Sequence, residues 1–156
     1  MCQNKWDEYF MSVAELTAKL SKDPRTKVGA CIAKDKKVLS IGYNGAPRKF
    51  PDELVPQGDI DCELINQKNS YMVHAELNAI LNYKGSLSEL HGATLYVTVS
   101  PCNACALALA QAGITTIIYK EKYHRQNITK LTEYIFHKCG INMYSMNEIF
   151  NNKETI

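Results

Sequence analysis

The chain reads as an α/β protein: a mixed five-stranded sheet with helices on both faces. Two patterns predict this. An amphipathic helical segment is followed by two short apolar runs joined by a tight turn, and the later apolar runs alternate with helical segments. Size is the third observation. A chain of 156 residues, 46% of them hydrophobic, buries roughly 68–70% of its unfolded surface, so residues 1–156 are expected to form one domain.

Trp6, Tyr9, Phe10, Val13, Leu16 and Leu20 recur at helical spacing, with acidic residues early and Lys19 late, as the helix dipole favours. Ser21-Lys22-Asp23-Pro24 closes that helix. Val28–Ala33 is apolar throughout and predicts a buried strand, Asp35-Lys36 turns the chain, and Val38–Tyr43 returns as the hairpin partner. Asn44-Gly45-Ala46-Pro47 breaks regular structure. Residues 46–69 follow no clean period apart from a partly helical stretch at Cys62–Asn66, and connections this long are often functional. His74–Tyr83 is helical, Ala93–Val99 is a third strand, and Cys102–Ala112 is a helix closed by Gly113. Ile114–Tyr119 makes the fourth strand, Asn127–Lys138 a helix closed by Gly140, and Ile141–Ser145 the fifth strand. The polar tail, 147–156, is expected to fray.

Eighteen Lys and Arg against sixteen Asp and Glu leave a net charge of +2. So weak a field argues against a nucleic-acid or membrane partner. The first residues lack the apolar core of a signal peptide, and no run approaches the ~18 apolar residues of a membrane span. A cytoplasmic location is expected. In such a chain, six cysteines point to metal or redox chemistry rather than a disulfide framework.

Two short segments carry the chemistry: His74-Ala75-Glu76 and Pro101-Cys102-Asn103-Ala104-Cys105. Ser100 suits a helix N-cap and Pro101 the first helical position, where its missing N–H costs nothing. Cys102 and Cys105 then share one face of the first turns, at the positive end of a helix that favours thiolates. His74 opens another helix. Two thiolates and one imidazole supply three protein ligands and leave a fourth zinc position open, the pattern of a catalytic rather than a structural site. Glu76 is not needed as a ligand and is placed for proton transfer. Taken alone, the C-x-x-C also suits a redox pair, a structural zinc or plain packing, and His74 and Glu76 also suit capping and the helix dipole. The redox reading leaves His74 and Glu76 without a role.

The H-x-E and P-C-x-x-C pairing resembles the zinc-dependent deaminases. Further segments narrow the likeness: Trp6-Asp7-Glu8-Tyr9-Phe10-Met11, Ser21-Lys22-Asp23-Pro24 with Val28-Gly29-Ala30-Cys31-Ile32, Ile41-Gly42-Tyr43-Asn44-Gly45, His74-Ala75-Glu76-Leu77-Asn78-Ala79-Ile80 and Tyr123-His124. Together they resemble the deoxycytidylate (dCMP) deaminase family from Trp6 to Tyr144. The resemblance implies a three-layer α/β/α cytidine-deaminase-like fold and hydrolysis of dCMP to dUMP, which feeds thymidylate synthesis. It implies one catalytic zinc on His74, Cys102 and Cys105, with Glu76 moving protons between water, ring N3 and the departing amino group. It also implies that backbone at Ala75 holds the ring and that Asn44 contacts the sugar.

For the 5′-phosphate, Ser21 and Arg25 are the candidates within the cluster Ser21, Lys22, Arg25 and Lys27, which equally suits a solvated face. Arg48, Lys49 and Arg125 read as solvated charges. Tyr123 either lies over the substrate or packs as a buried aromatic. Family likeness further implies a homo-oligomer, as in hexameric relatives, activated by dCTP and inhibited by dTTP at Gly42, Tyr43, Asn44 and Gly45. A second, structural zinc is not expected. A tRNA adenosine or nucleic-acid cytidine deaminase and a non-catalytic zinc-stabilised binding module are the alternatives.

Overall fold

The first helix carries its apolar side chains across one face of the sheet. In the computed structural model, which describes residues 2–151, α1 spans Cys2–Ala18. Leu20 lies beyond its end and is exposed, so the apolar stripe outruns the helix. The strands are β1 (Gly29–Lys34), β2 (Lys37–Tyr43), β3 (Thr94–Val99), β4 (Thr116–Glu121) and β5 (Asn142–Ser145), in the order β2-β1-β3-β4-β5. β1 pairs antiparallel with β2 and β3, whereas β3–β4 and β4–β5 are parallel. This is the mixed five-stranded sheet expected. The hairpin turn is the pair Asp35-Lys36, both with positive φ (51° and 61°), the conformation that follows the twist of the strands.

Each inner strand is buried on both faces. Ala30, Ile32, Leu95, Val97 and Ile117 pack beneath α2 (Ala75–Asn82), α3 (Asn103–Gln111) and α4 (Gln126–Lys138), with Ala79, Leu109 and Phe136 from those helices. Their neighbours Cys31, Ala33, Tyr96 and Ile118 point the other way, against Phe10, Met11 and Ala14 of α1. The strict period of two makes a three-layer sandwich. No described helix is long and apolar enough to cross a membrane.

The tail departs from expectation. Residues 147–151 belong to a short helix, α5 (Met146–Asn151), on the α1 side of the sheet, with Met146 buried and Ile149 and Phe150 packed against the same cluster. Its start is held by a reciprocal cap: Ser145 N–H donates to Glu148 Oε2 (2.6 Å) and Glu148 N–H to Ser145 Oγ (3.2 Å). The rest of the expected frayed tail, 152–156, lies outside the described residues.

The long connection is also more ordered than its composition suggests. It contains 3-10 turns at Asp52–Leu54, Leu64–Asn66 and Lys68–Tyr71. Backbone bridges pair Gly45 with Val73 and Gly58 with Gln67. Every polar tie from this segment to the strand-one approach lands on one turn: Asp52 on Lys22, Asp59 and the Gln57 carbonyl on Arg25, and Lys68 on Asp23.

Candidate active site

Two helix N-termini meet at the centre of the site. His74 is the N-cap of α2, in extended conformation, and its carbonyl accepts the Asn78 N–H at 2.9 Å. Cys102 holds the same position on α3, its carbonyl accepting from Ala106 at 2.9 Å, and Cys105 sits within the first turn. The N-cap thus falls two residues later than the Ser100 expected from the sequence. Ser100 is buried and serves another purpose: its Oγ accepts the Tyr123 N–H at 2.8 Å and holds the segment after β4 in place. The extended conformation of Cys102 is what delays the helix.

His74 Nδ1 lies 3.5 Å from Cys102 Sγ and 3.4 Å from Cys105 Sγ, and the three donor atoms fall within 4.8 Å of one another. One imidazole nitrogen and two sulfurs make a donor set suited to zinc, with three protein ligands and an open fourth position. The electrostatics agree. The Cys102 thiol is drawn down to about 4, chiefly because its thiolate accepts a hydrogen bond from the Cys105 thiol, against the opposing effect of burial, with His74 adding a second bond. Cys105 is pushed upward by that same exchange with Cys102 and by burial. The hydrogen bond to Cys102 also raises His74. Two thiolates side by side repel in a buried setting, and a dication between them allows both to ionise.

Glu76, in the first turn of α2, is 4% exposed. Burial pushes its carboxyl above the ordinary carboxylate range, opposed by the charge of His74 and a hydrogen bond with Cys105. A carboxyl so placed can hold or release a proton close to the donor cluster.

A cavity of about 780 Å³ opens onto this cluster. Its wall brings together His74, Ala75, Glu76, Cys102, Asn44, Arg25 and Tyr123, all named from the sequence. His124 and Arg125 join them. Ser21 is not on the wall. It is buried, with Oγ donating to the Asn44 carbonyl at 2.8 Å and accepting the Asp23 N–H at 3.2 Å. Arg25 faces the cavity already paired with Asp59 and the Gln57 carbonyl. Arg48 lies elsewhere, donating to Asn82 at the end of α2 (3.3 Å).

A Cβ on Gly42 would fall on the Ala75 carbonyl and the Ala79 amide, so this glycine lets β2 and α2 touch. Asn44 and Gly45 N–H donate to the Val28 and Val73 carbonyls (3.2 and 3.1 Å). Tyr43 is partly exposed, with its carbonyl accepting from Asn78 Nδ2 at 2.6 Å.

One pair on the wall is absent from the sequence reading. Lys68 Nζ bonds both carboxylate oxygens of Asp23, at 2.8 and 2.7 Å, with side-chain exposures of 7% and 4%. Lys68 sits in the long polar connection, where a lysine is ordinarily solvated. Asp23 was visible only as part of the Ser21-Lys22-Asp23-Pro24 segment. The low exposure that marks the pair appears only in three dimensions.

A family model described as the cytidine and deoxycytidylate deaminase zinc-binding region matches residues 4–121. Deoxycytidylate deaminase of Mus musculus is 41% identical over 139 residues, covering 88% of this chain and 77% of the relative. The Homo sapiens protein of that name is 40% identical over the same span. Among solved structures, dCMP deaminase from the cyanophage S-TIM5 in complex with dCMP and dUMP superposes with a TM-score of 0.73 at 28% identity, covering 93% of this chain and 99% of that one. With the donor cluster, the acid beside it and the α/β/α sandwich all in place, the chain belongs to the zinc-dependent cytidine and deoxycytidylate deaminase family.

Proposed function

We propose that the protein hydrolyses dCMP to dUMP and ammonia. The observation that carries this is a buried carboxyl, Glu76, beside a His-Cys-Cys donor set of which His74 and Cys102 lie with it on the wall of a cavity large enough for a nucleotide. Zinc held by His74 Nδ1 and the two cysteine sulfurs supplies the Lewis acidity that makes water a nucleophile at neutral pH. Glu76 takes a proton from the attacking water and delivers it to N3 of cytosine. The water oxygen bonds to C4; Glu76 then takes the remaining proton from that oxygen and passes it to the exocyclic amine, so the C4–N bond breaks, the C4 carbonyl forms and ammonia leaves. Ala75, at the first position of α2, presents backbone to the ring, and Tyr123 covers it. Asn44 faces the sugar, and Arg25 with Arg125 supplies positive charge for the 5′-phosphate. Ser21 acts behind the wall, through Asn44.

The finer parts of this reading are a supply of dUMP for thymidylate synthesis in the cytoplasm, activation by dCTP, inhibition by dTTP and a homo-oligomeric state. The exposed Leu77, Leu81 and Leu107 on α2 and α3 support self-association, which sedimentation measures. Tyr43 is the exposed member of the proposed effector segment.

Ammonia release from dCMP, CMP, deoxycytidine, cytidine and a tRNA substrate, each with and without dCTP, is the test. dCMP is expected to have the highest kcat/KM. Preference for deoxycytidine or tRNA overturns the substrate reading, and kinetics indifferent to dCTP and dTTP overturn the regulation. Glu76→Ala is expected to lose about 10²–10⁴-fold in turnover with zinc content unchanged. Near-wild-type turnover in that variant refutes the proton-transfer role.

A further inference from the structure

We propose that Lys68 is a positioning residue for the sugar end of the substrate: by holding Asp23 it locks the Asn44 side-chain amide in one of its two flip states, leaving only the amide oxygen for the ligand. The proposal rests on the dCMP reading above and adds to it a residue from the long connection and a defined polarity for Asn44.

The lock is visible in the hydrogen bonds. Asn44 Nδ2 donates to the Thr26 carbonyl at 2.8 Å and to Asp23 Oδ2 at 3.3 Å, which occupies both of its hydrogens. Asn44 Oδ1 accepts the Val28 N–H at 2.8 Å and keeps a second lone pair. Asn44 lines the cavity, so that lone pair is the amide's remaining capacity toward a ligand. Reversing the amide would set its NH₂ against the Val28 N–H and its oxygen against a carbonyl and a carboxylate. Both contacts are repulsive; the Thr26 carbonyl and the Val28 N–H oppose the turn on their own, and an anionic Asp23 held in place adds the charged part of the lock.

Lys68 supplies that condition. Its ammonium spans both Asp23 oxygens, and the two groups are almost fully removed from solvent. Without the ammonium, a carboxylate so buried either takes up a proton or turns toward the cavity. A protonated carboxyl can donate to the Asn44 oxygen, which turns the charged part of the lock into a contact that favours the reversed amide. The group that Asn44 meets in the locked state must be a donor, and on a deoxynucleotide the sugar hydroxyl is the donor at that end. The 5′-phosphate carries acceptors and does not fit.

The experiment compares kcat/KM for dCMP and for 2′,3′-dideoxycytidine 5′-monophosphate, which lacks that hydroxyl. The ratio cancels the fraction of active protein, so a merely structural defect does not move it. Wild type is expected to prefer dCMP by about tenfold or more. Lys68→Met is expected to reduce the preference to about twofold or less, and Lys68→Arg to restore most of it. The double variant Asp23→Asn with Lys68→Met removes both buried charges and keeps the question answerable if the single variant folds poorly. It too is expected to lose the preference, because an amide at position 23 can donate as well as accept. A wild-type ratio in both Lys68→Met and the double variant, or a ratio near one in the wild type while dCMP is turned over, overturns the role of Lys68. Absence of any turnover of dCMP overturns the substrate reading, and this proposal with it.

Discussion

Asp23 shows how much order one side chain can impose. Its oxygens accept from the Arg25 and Thr26 amides, from Asn44 Nδ2 and from Lys68. Burial alone would raise its carboxyl, but the bond from Lys68 and the two backbone donors outweigh burial and hold it below the ordinary value. The native state therefore binds this proton more weakly than the unfolded chain. The resulting stability is complete above the unfolded value of about 3.9 and disappears as pH falls through the lowered native value. Asp23→Asn, which leaves Lys68 buried without its counter-ion, is expected to cost about 3 kcal/mol at neutral pH. Urea titrations should show that gap closing below about pH 4, and a gap independent of pH contradicts the assignment. The zinc ligands and Glu76 were legible because each motif is short and local, so spacing alone puts its members on one helix end. Asp23 and Lys68 are 45 positions apart and meet only because the long connection folds back. No local pattern encodes such a meeting.

At the scale of elements, the sandwich was legible because its inner strands are covered on both sides and carry unbroken apolar runs. Helix starts were less so. Pro101 suggested a first helical position, but the structure gives the cap to Cys102 and leaves Ser100 to steady the Tyr123 segment. The last helix was missed although Ser145 and Glu148 stand at capping-box spacing, because the polar residues around them outweighed a two-residue signal. Gly42 ties an element to the chemistry. It is the point at which β2 meets the backbone of α2, one turn from His74 and Glu76. Gly42→Ala is expected to push the helix away from the strand, at a cost of roughly 1–3 kcal/mol, and to displace both site residues. Thermal unfolding together with zinc content checks this. A variant with lower stability but wild-type zinc affinity separates the packing role from the site.

For the molecule as a whole, the sheet separates two cores, and the functional groups gather on the α2–α3 side. Residues 46–73 close over them, pinned at Lys22, Arg25 and Asp23. Those pins fall on Asp52, Gln57, Asp59 and Lys68, so the outer tip at residues 60–66, inside the bridge between Gly58 and Gln67, makes none of them. The tip holds the exposed Ile60, Leu64 and Ile65. Brief treatment with chymotrypsin should cut there first, after Leu64. The expected product is a nicked enzyme whose two pieces separate on a denaturing gel but co-elute in native buffer and still release ammonia. Loss of activity in step with the cut contradicts it. A covering whose crown, residues 62–66, is tied to its own base through Gln67 and Tyr71 tolerates interruption, so this crown is a place where the chain can be opened, lengthened or given new termini without disturbing the chemistry beneath it.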